Sequence, residues 1–226
     1  MRYQYLLIDN DNTLMDFNAA ERKALLDVLT AFALPADETV CRMYHAINDA
    51  QWKALERGET TQARLRVERF RLLLDALSRA DIDPVAMSDR YNLALGSHAD
   101  LLPGAEDFIR ALHGRMKIAL VSNGVSAIQR SRLAKCPLTP LFDAVVISEE
   151  VGVAKPDPRL LFVALERLGC TNKAQAVMMG DSATADIPAA VRAGIDSIFF
   201  SPQGKRCDAA TCCVVSHQEA LKRLCA

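Results

Sequence analysis

Five short apolar runs recur along the chain, and helical patterns separate most of them. The runs are Tyr3 to Ile8, Lys117 to Val121, Ala144 to Ile147, Ala176 to Met179 and Ser197 to Phe200. Because these runs are continuous rather than alternating, they are typical of parallel strands that are buried on both faces. The helical patterns lie at 105–112, 127–135, 158–168 and 187–193. The pattern predicts an α/β fold with a doubly wound parallel sheet.

A long stretch after the first run has no strand-like segment and carries helical patterns instead. The clearest of these are Ala19 to Phe32, Glu38 to Glu56 and Gln62 to Leu77. The stretch is too long for an ordinary connection, so it predicts an all-helical insertion with its own small core. We expect the catalytic core at residues 1–16 and 97–226, and the insertion at 17–96.

Composition excludes several classes of partner. The 27 Lys and Arg residues nearly balance the 28 Asp and Glu residues, so there is no overall field that would attract nucleic acid or an anionic membrane. The chain has no apolar run of membrane-spanning length and no signal-peptide pattern, which favours a cytoplasmic location. The seven cysteines are odd in number and scattered, as expected of reduced thiols. The sequence does not indicate an oligomeric state.

Polar side chains follow the apolar runs at the points where the predicted strands end. Asp9 and Ser122 stand directly after two of the runs, Asp181 follows a third after one glycine, and the stretch after a fourth leads to Lys155. Ligands of open parallel sheets bind outside the carboxyl ends of the strands. With no Cys–His or Ser–His pairing indicated, the sequence predicts a carboxylate nucleophile at this edge.

The first of these positions opens the segment Asp9-Asn10-Asp11-Asn12-Thr13. Two aspartates spaced by two residues lie on the same side of an extended segment. We interpret Asp9 as a nucleophile on phosphorus. Asp11 would protonate the leaving group and then deprotonate the attacking water. Taken alone, the segment is also compatible with a solvated turn or a helix cap.

A carboxylate that attacks a phosphate needs a cation. Two unit charges of like sign about 4 Å apart repel by about 1 kcal/mol in water and about 4 kcal/mol at an effective dielectric of 20. Carboxylate oxygens with open positions suit Mg²⁺, and Asp181 is the natural further ligand. Asp186 can ligate through water or hold a neighbouring side chain, and either aspartate is alternatively a cap of the helix near Ile187.

Two further groups can bind a phosphoryl group. Ser122, Asn123 and Gly124 offer a hydroxyl and backbone N–H groups before a predicted helix. Lys155 supplies a compact positive charge in a loop with two prolines. Singly, Ser122 is compatible with an ordinary N-cap and Lys155 with a surface lysine. Jointly they indicate a phosphate site.

In this order, these segments resemble the four signature motifs of the haloacid dehalogenase superfamily. The motifs are Asp9-x-Asp11-x-Thr13, Ser122-Asn123, Lys155-Pro156, and Gly180-Asp181 with Asp186. The resemblance implies a Rossmann-like core with a helical cap inserted after the first motif. It also implies Mg²⁺ held by the Asp9 carboxylate, the Asp11 backbone carbonyl and the Asp181 carboxylate.

The same resemblance assigns phosphate contacts to Ser122, Asn123 and Lys155. Asp11 narrows the reaction class, since dehalogenases of the superfamily lack an acid there and halide needs no proton donor. The resemblance therefore implies phosphoryl transfer. Asn12 stands where relatives often have glycine or aspartate, and we expect little effect on the chemistry.

Two segments are similar to bacterial pyrimidine 5′-nucleotidases, namely Trp52 to Thr61 with Arg69-Phe70, and Ile147 to Pro156. The resemblance implies a phosphatase for pyrimidine nucleoside monophosphates. Phe17 is a candidate to border the substrate pocket. Trp52 is a candidate for base stacking, although a core position is the usual place for such a tryptophan. Arg64, Arg66 and Arg69 can contact a phosphate or sugar, but their spacing favours a solvated face.

Other functions share the same residues. A phosphatase of sugar phosphates or phosphoglycolate would need no different catalytic group, and a phosphosugar mutase would use Asp9 and Asp11 but return the phosphoryl group. A non-catalytic nucleotide-binding protein is a further alternative. The presence of both aspartates favours an enzyme.

Overall fold

The computed structural model describes residues 2–225 and contains a six-stranded sheet in which every pair is parallel. The strands are β1 (Tyr5–Ile8), β2 (Lys117–Ser122), β3 (Ala144–Ile147), β4 (Ala176–Gly180), β5 (Asp196–Phe200) and β6 (Cys212–Val214). Their order is β3-β2-β1-β4-β5-β6. This is the Rossmann-like, doubly wound order, so the predicted fold class is confirmed.

Helices connect the strands and form the insertion. They are α1 (Phe17–Ala31), α2 (Glu38–Glu56), α3 (Gln62–Ala76), α4 (Pro84–Leu95), α5 (Ala105–Leu112), α6 (Ser126–Lys135), α7 (Ser148–Val151), α8 (Arg159–Arg167), α9 (Asp186–Ala193) and α10 (His217–Cys225). Within the part of the chain that the structure describes, no helix combines the length and the apolar character needed to cross a membrane. The sequence had not indicated α4, α10 or β6. The strand β6 was missed because it is three residues long and two of them are half-buried cysteines.

Side chains of the central strand β1 alternate between two hydrophobic layers. Leu6 and Ile8 are fully buried in the layer that contains residues of α5 and α10. Leu7 is fully buried in the opposite layer, with residues of α8 and α9. Because helices cover both faces, every residue of such a strand can be apolar, which explains the continuous runs.

The chain divides into two compact units. The first, here called the sheet unit, comprises the residues up to Phe17 and from Ala99 onward, and the second, the helical unit, comprises Asn18–His98. Three helices of the helical unit carry their own N-caps, in which Asp37, Thr61 and Asp83 accept hydrogen bonds from backbone N–H groups of the first turn. Such caps satisfy donors that a helix start leaves unpaired.

The core of the helical unit is aromatic and contains a buried cation. Tyr44, Phe70 and Tyr91 pack with ring centroids 5.2 to 5.7 Å apart. The Arg69 guanidinium lies 4.5 Å from the centre of the Tyr91 ring, and it donates a 3.1 Å hydrogen bond to Asn48.

The expected solvated face is therefore wrong for Arg69, which is only 3% exposed. Arg64 is exposed and Arg66 is partly exposed. Arg69 stands four residues from both Leu65 and Leu73, which are buried on α3, so its side chain points to the same face as theirs.

Candidate active site

The sheet order brings the predicted motifs to one edge. The strand β1 pairs with β2 and β4, and Ile8 lies level with Leu120 and Met179. Asp9 follows β1 directly, Ser122 ends β2, and Asp181 follows β4. All of these positions belong to the sheet unit, at the carboxyl ends where ligands bind in this fold.

Lys155 is an interior cation that contacts two carboxylates. Its Nζ donates to Asp9 Oδ1 at 2.6 Å and to the Val121 carbonyl at 2.7 Å, and it lies 2.7 Å from Asp186 Oδ1. The residue is 1% exposed, so it is not a surface lysine. Burial lowers its pKa, but Asp186 and Asp9 together raise the pKa above the ordinary lysine value.

Three carboxylates lie close together at this lysine. Oxygen atoms of Asp9, Asp181 and Asp186 all lie within 4.8 Å of one another. Burial raises the pKa of Asp9 to about 7, against the opposing effect of Lys155. Burial, together with the charge of Asp9, raises the pKa of Asp181 to about 8. One lysine cannot balance three carboxylates, so this set of hard oxygen donors is suited to a divalent cation such as Mg²⁺.

Asp186 reaches the cluster because Gly180 leaves room for it. A Cβ atom on Gly180 would lie 2.1 Å from Asp186 Oδ2. The same oxygen accepts a 3.0 Å hydrogen bond from the Ser182 backbone N–H. Asp186 is the first residue of α9 and not its N-cap, and no side-chain hydrogen bond caps that helix. The alternative of Asp186 as a helix cap is therefore wrong, and its carboxylate contacts Lys155 instead.

Asn123 fastens the lysine loop to the end of β2. Its Nδ2 donates to the Lys155 carbonyl at 2.7 Å, and its Oδ1 accepts from the Lys155 N–H at 2.8 Å. Ser122 is buried, and its Oγ accepts a 3.0 Å hydrogen bond from the Gly124 N–H. In this arrangement the Asn123 amide positions Lys155. The phosphate contacts of Ser122 and Asn123 stay predictions.

Asp11 is bound by two residues that the sequence reasoning missed. Gln129 Nε2 donates to Asp11 Oδ2 at 2.6 Å, and Arg132 Nη1 donates to Asp11 Oδ1. Both donors lie on the buried face of α6. The two residues are three positions apart, beside the apolar residues Ile128 and Leu133, and residues at such spacing share one helix face. This pattern could have indicated from the sequence that both side chains lie on the buried face of α6.

The remainder of the first motif is held by its backbone. Asn12 has a φ of +59°, in the left-handed region, where asparagine, aspartate and glycine are the residues most easily accommodated. Thr13 is fully buried, and its carbonyl oxygen lies 2.8 Å from Nε2 of His217. The other nitrogen of this buried ring lies 3.0 Å from the Pro103 carbonyl. His217 was also missed, because it lies in the unpredicted helix α10.

The two candidate substrate-pocket residues fall in different units. Phe17 ends the first segment of the sheet unit, and its ring centre is 5.7 Å from Cζ of Arg132. Trp52 lies on α2 of the helical unit and is partly exposed. Their contacts with a substrate stay predictions.

Comparison with known proteins defines the class. The model of the family described as haloacid dehalogenase-like hydrolase matches residues 3–194. The chain belongs to this family. The family and its similar relatives make it a hydrolase of the phosphatase class.

Three relatives resemble the chain over most of its length. Pyrimidine 5′-nucleotidase PynA of Streptococcus pneumoniae is 34% identical, covering 89% of this chain and 85% of that protein. Pyrimidine 5′-nucleotidase YjjG of Escherichia coli is 30% identical, covering 89% and 87%. The structure of the HAD-hydrolase YfnB from Bacillus subtilis, bound to magnesium, is 30% identical with a TM-score of 0.94 and covers 100% of both chains.

Proposed function

We propose that this protein is a Mg²⁺-dependent phosphomonoester hydrolase that acts on pyrimidine nucleoside 5′-monophosphates through an aspartyl-phosphate intermediate. The observation that carries the proposal is the convergence of the Asp9, Asp181 and Asp186 carboxylates around the buried Lys155. Asp11 lies two residues from the nucleophile and is held by separate partners.

The donor set supports Mg²⁺ as the cofactor. The Asp9 and Asp181 carboxylates and the Asp11 backbone carbonyl would hold the ion. When bound, Mg²⁺ supplies the positive charge that offsets repulsion between the nucleophile and the phosphate. In the YfnB structure named above, a relative with this fold is bound to magnesium.

The residues of the chain divide the remaining work between them. A carboxylate oxygen of Asp9 attacks phosphorus, and the bond from phosphorus to the ester oxygen breaks while Asp11 protonates that oxygen. Lys155 and the N–H groups of the turn at 122–124 offset charge on the phosphoryl oxygens. Asp11 then removes a proton from water, which attacks the phosphorus of the acyl phosphate, releases phosphate and regenerates Asp9.

The choice of substrate rests on the relatives. Two of them, at 34% and 30% identity, are named pyrimidine 5′-nucleotidases. Within the sheet unit, Phe17 is the proposed contact for the base or sugar. A contact from Trp52 of the helical unit stays a separate prediction. Sugar phosphates are the second candidate, because the fructose-1-phosphate phosphatase YqaB of Escherichia coli is 30% identical and covers 87% of this chain and 96% of that protein.

A substrate screen tests the proposal. Hydrolysis would be measured with Mg²⁺ on UMP, dUMP, dTMP, AMP, fructose 1-phosphate, glucose 1-phosphate and phosphoglycolate. We expect the highest kcat/KM with the pyrimidine nucleotides and at least a roughly thousandfold loss in the Asp9→Asn variant, which lacks the nucleophile.

Each contrary outcome removes a different part of the proposal. Full activity of Asp9→Asn would eliminate the assigned nucleophile. A preference for a sugar phosphate would leave the phosphatase class and exclude the nucleotidase. An isomerised hexose phosphate without free phosphate would indicate a mutase.

A further inference from the structure

The buried face of α6 carries two polar side chains whose contacts converge on the second aspartate. Gln129 is 2% exposed and Arg132 is fully buried. Each binds a different oxygen of Asp11, Gln129 at Oδ2 with a length of 2.6 Å and Arg132 at Oδ1. Two donors on separate oxygens fix both the position and the rotation of a carboxylate, whereas one donor would fix only its position.

The orientation of the Gln129 amide is set from its other end. Asn10, which is fully buried between the two aspartates in sequence, donates from Nδ2 to Gln129 Oε1 at 2.6 Å. With its oxygen occupied by this donor, the amide presents Nε2 to Asp11, as an acceptor-only carboxylate requires.

The turn after β2 leaves space for the same amide. A Cβ atom on Gly124 would lie 2.3 Å from Gln129 Nε2, so a larger residue there would displace the side chain. Gln129 of α6 therefore contacts the first-motif loop and fills the space that Gly124 leaves in the turn at 122–124. This agreement among three segments points to a role in the site beyond filling space.

Arg132 places a positive charge in the interior of the protein, and such a charge does not by itself stabilise the fold. Burying a guanidinium is energetically unfavourable, and a buried ion pair is often no more stable than an apolar replacement. Its ion-pair partner Asp11 keeps 23% of its side chain exposed. The pair therefore fixes the carboxylate and leaves one edge of it open to a leaving group.

We propose that Gln129 and Arg132 are positioning residues that hold the Asp11 carboxylate in the geometry for proton transfer. The inference rests on the proposed function, in which Asp11 is the general acid and base. Neither residue contacts the reacting atoms in this scheme. They act through Asp11, because proton transfer requires the donor oxygen to be within hydrogen-bond reach of the ester oxygen.

The test compares two leaving groups. Hydrolysis of a nucleoside monophosphate such as UMP releases the nucleoside, whose alkoxide must be protonated as it leaves. Hydrolysis of 4-nitrophenyl phosphate releases 4-nitrophenolate, which is stable without a proton. We expect Arg132→Met to lower kcat/KM for UMP by about 100-fold, with a much smaller effect on 4-nitrophenyl phosphate, since general acid catalysis contributes about 10² to 10⁴. The KM for UMP should stay within about threefold, because uniform binding is unchanged.

Gln129→Glu is the second variant, and it keeps the size of the side chain and an oxygen for Asn10. It places a carboxylate against Asp11, so we expect the same selective loss on UMP. Arg110→Met is the matched control, because Arg110 is a half-exposed residue of α5 that pairs with Glu106 on the surface. It should leave both substrates unaffected. Thermal melts show whether each variant folds. If Arg132→Met does not fold, Gln129→Glu still tests the inference.

A double-mutant cycle with Asp11→Asn separates positioning from general damage. In that background, Arg132→Met and Gln129→Glu should cause no further loss in kcat/KM. An equal loss on both substrates, or a full further loss in the Asp11→Asn background, would overturn the inference while leaving the phosphatase intact. Failure of the wild-type protein to hydrolyse either substrate would instead remove the proposed function, and this inference with it.

Discussion

Gly180 and Gly124 share one feature: each is a glycine at or just after the end of a strand, and a polar side chain from the next helix occupies the space that its Cβ atom would need. Asp186 Oδ2 would be 2.1 Å from a Cβ on Gly180, and Gln129 Nε2 would be 2.3 Å from one on Gly124. Neither glycine has the positive φ that usually explains the residue. At both positions the glycine is needed for close approach, by Asp186, which contacts Lys155, and by Gln129, which contacts Asp11.

Adding one methyl group at Gly180 tests whether Asp186 needs the space that this glycine leaves. In Gly180→Ala, Asp186 must move, and Lys155 loses a partner that is 2.7 Å away. We expect kcat with UMP to fall by about 100-fold, because a misplacement of about 1 Å in a catalytic site can cost that much. Gly169→Ala is the control, because it has a φ of +68° and open space around its Cβ. It should cost about 1 to 2 kcal/mol of stability without loss of activity. Wild-type activity in Gly180→Ala would contradict the role given to Asp186.

At the scale of elements, the helices differ in what fixes their starts. Three helices of the helical unit are capped by the residue that precedes them. In contrast, Val125 precedes α6 and offers no side-chain cap. The Ser126 N–H donates instead to Glu149 of α7, at 2.7 Å. Glu150 adds a 2.6 Å bond from the Ser126 hydroxyl. The helix that carries Gln129 and Arg132 therefore depends on a tertiary contact for its first turn.

Removal of this acceptor should have a measurable cost. We expect Glu149→Ala to lower the free energy of unfolding by about 1 kcal/mol, as for the loss of an N-cap side chain. Denaturant unfolding measures the effect, with Glu166→Ala on the exposed side of α8 as a control expected to change stability by less than about 0.5 kcal/mol. Equal stability of both variants would show that Glu149 does not support α6.

At the scale of the whole molecule, repulsion between the buried carboxylates of the site disfavours the folded state at high pH. The pKa of Asp181 rises from its ordinary 3.8 to about 8 on folding, through burial and the charge of Asp9. A carboxyl whose pKa is raised in the folded state binds its proton more tightly there than in the unfolded chain. Its stabilising effect is therefore present at low pH and is lost as the pH rises from about 4 to about 8.

Neutralising Asp181 should reverse this behaviour. In EDTA at pH 8, we expect Asp181→Asn to be more stable than the wild-type protein by about 1 kcal/mol or more, with the difference shrinking toward pH 4. Mg²⁺ should stabilise the wild-type protein at pH 8, because it binds only the folded state, and should have little effect on the variant. Unfolding curves at both pH values measure this. A less stable variant at pH 8 would contradict the assigned charge repulsion.

The sequence by itself determined the five main strands, the helical insertion and the polar residues that follow the strands. Continuous apolar runs are a local signal, and parallel topology then brings the strand ends together. For this reason the sequence was sufficient to group Asp9, Lys155 and Asp181 at one edge of the sheet. The order of the motifs along the chain was sufficient to indicate the family.

Only the tertiary structure decided which polar side chains lie inside. Arg69, Arg132, Gln129 and His217 all look like ordinary surface residues in the sequence, yet each is buried. Their placement depends on which helix face packs against which neighbour, and on partners such as Thr13 that lie 204 residues away from His217. The sequence could indicate the candidate reacting groups because the proposed chemistry demands particular residue types. The buried polar residues that contact them are set by long-range packing, which local periodicity does not encode.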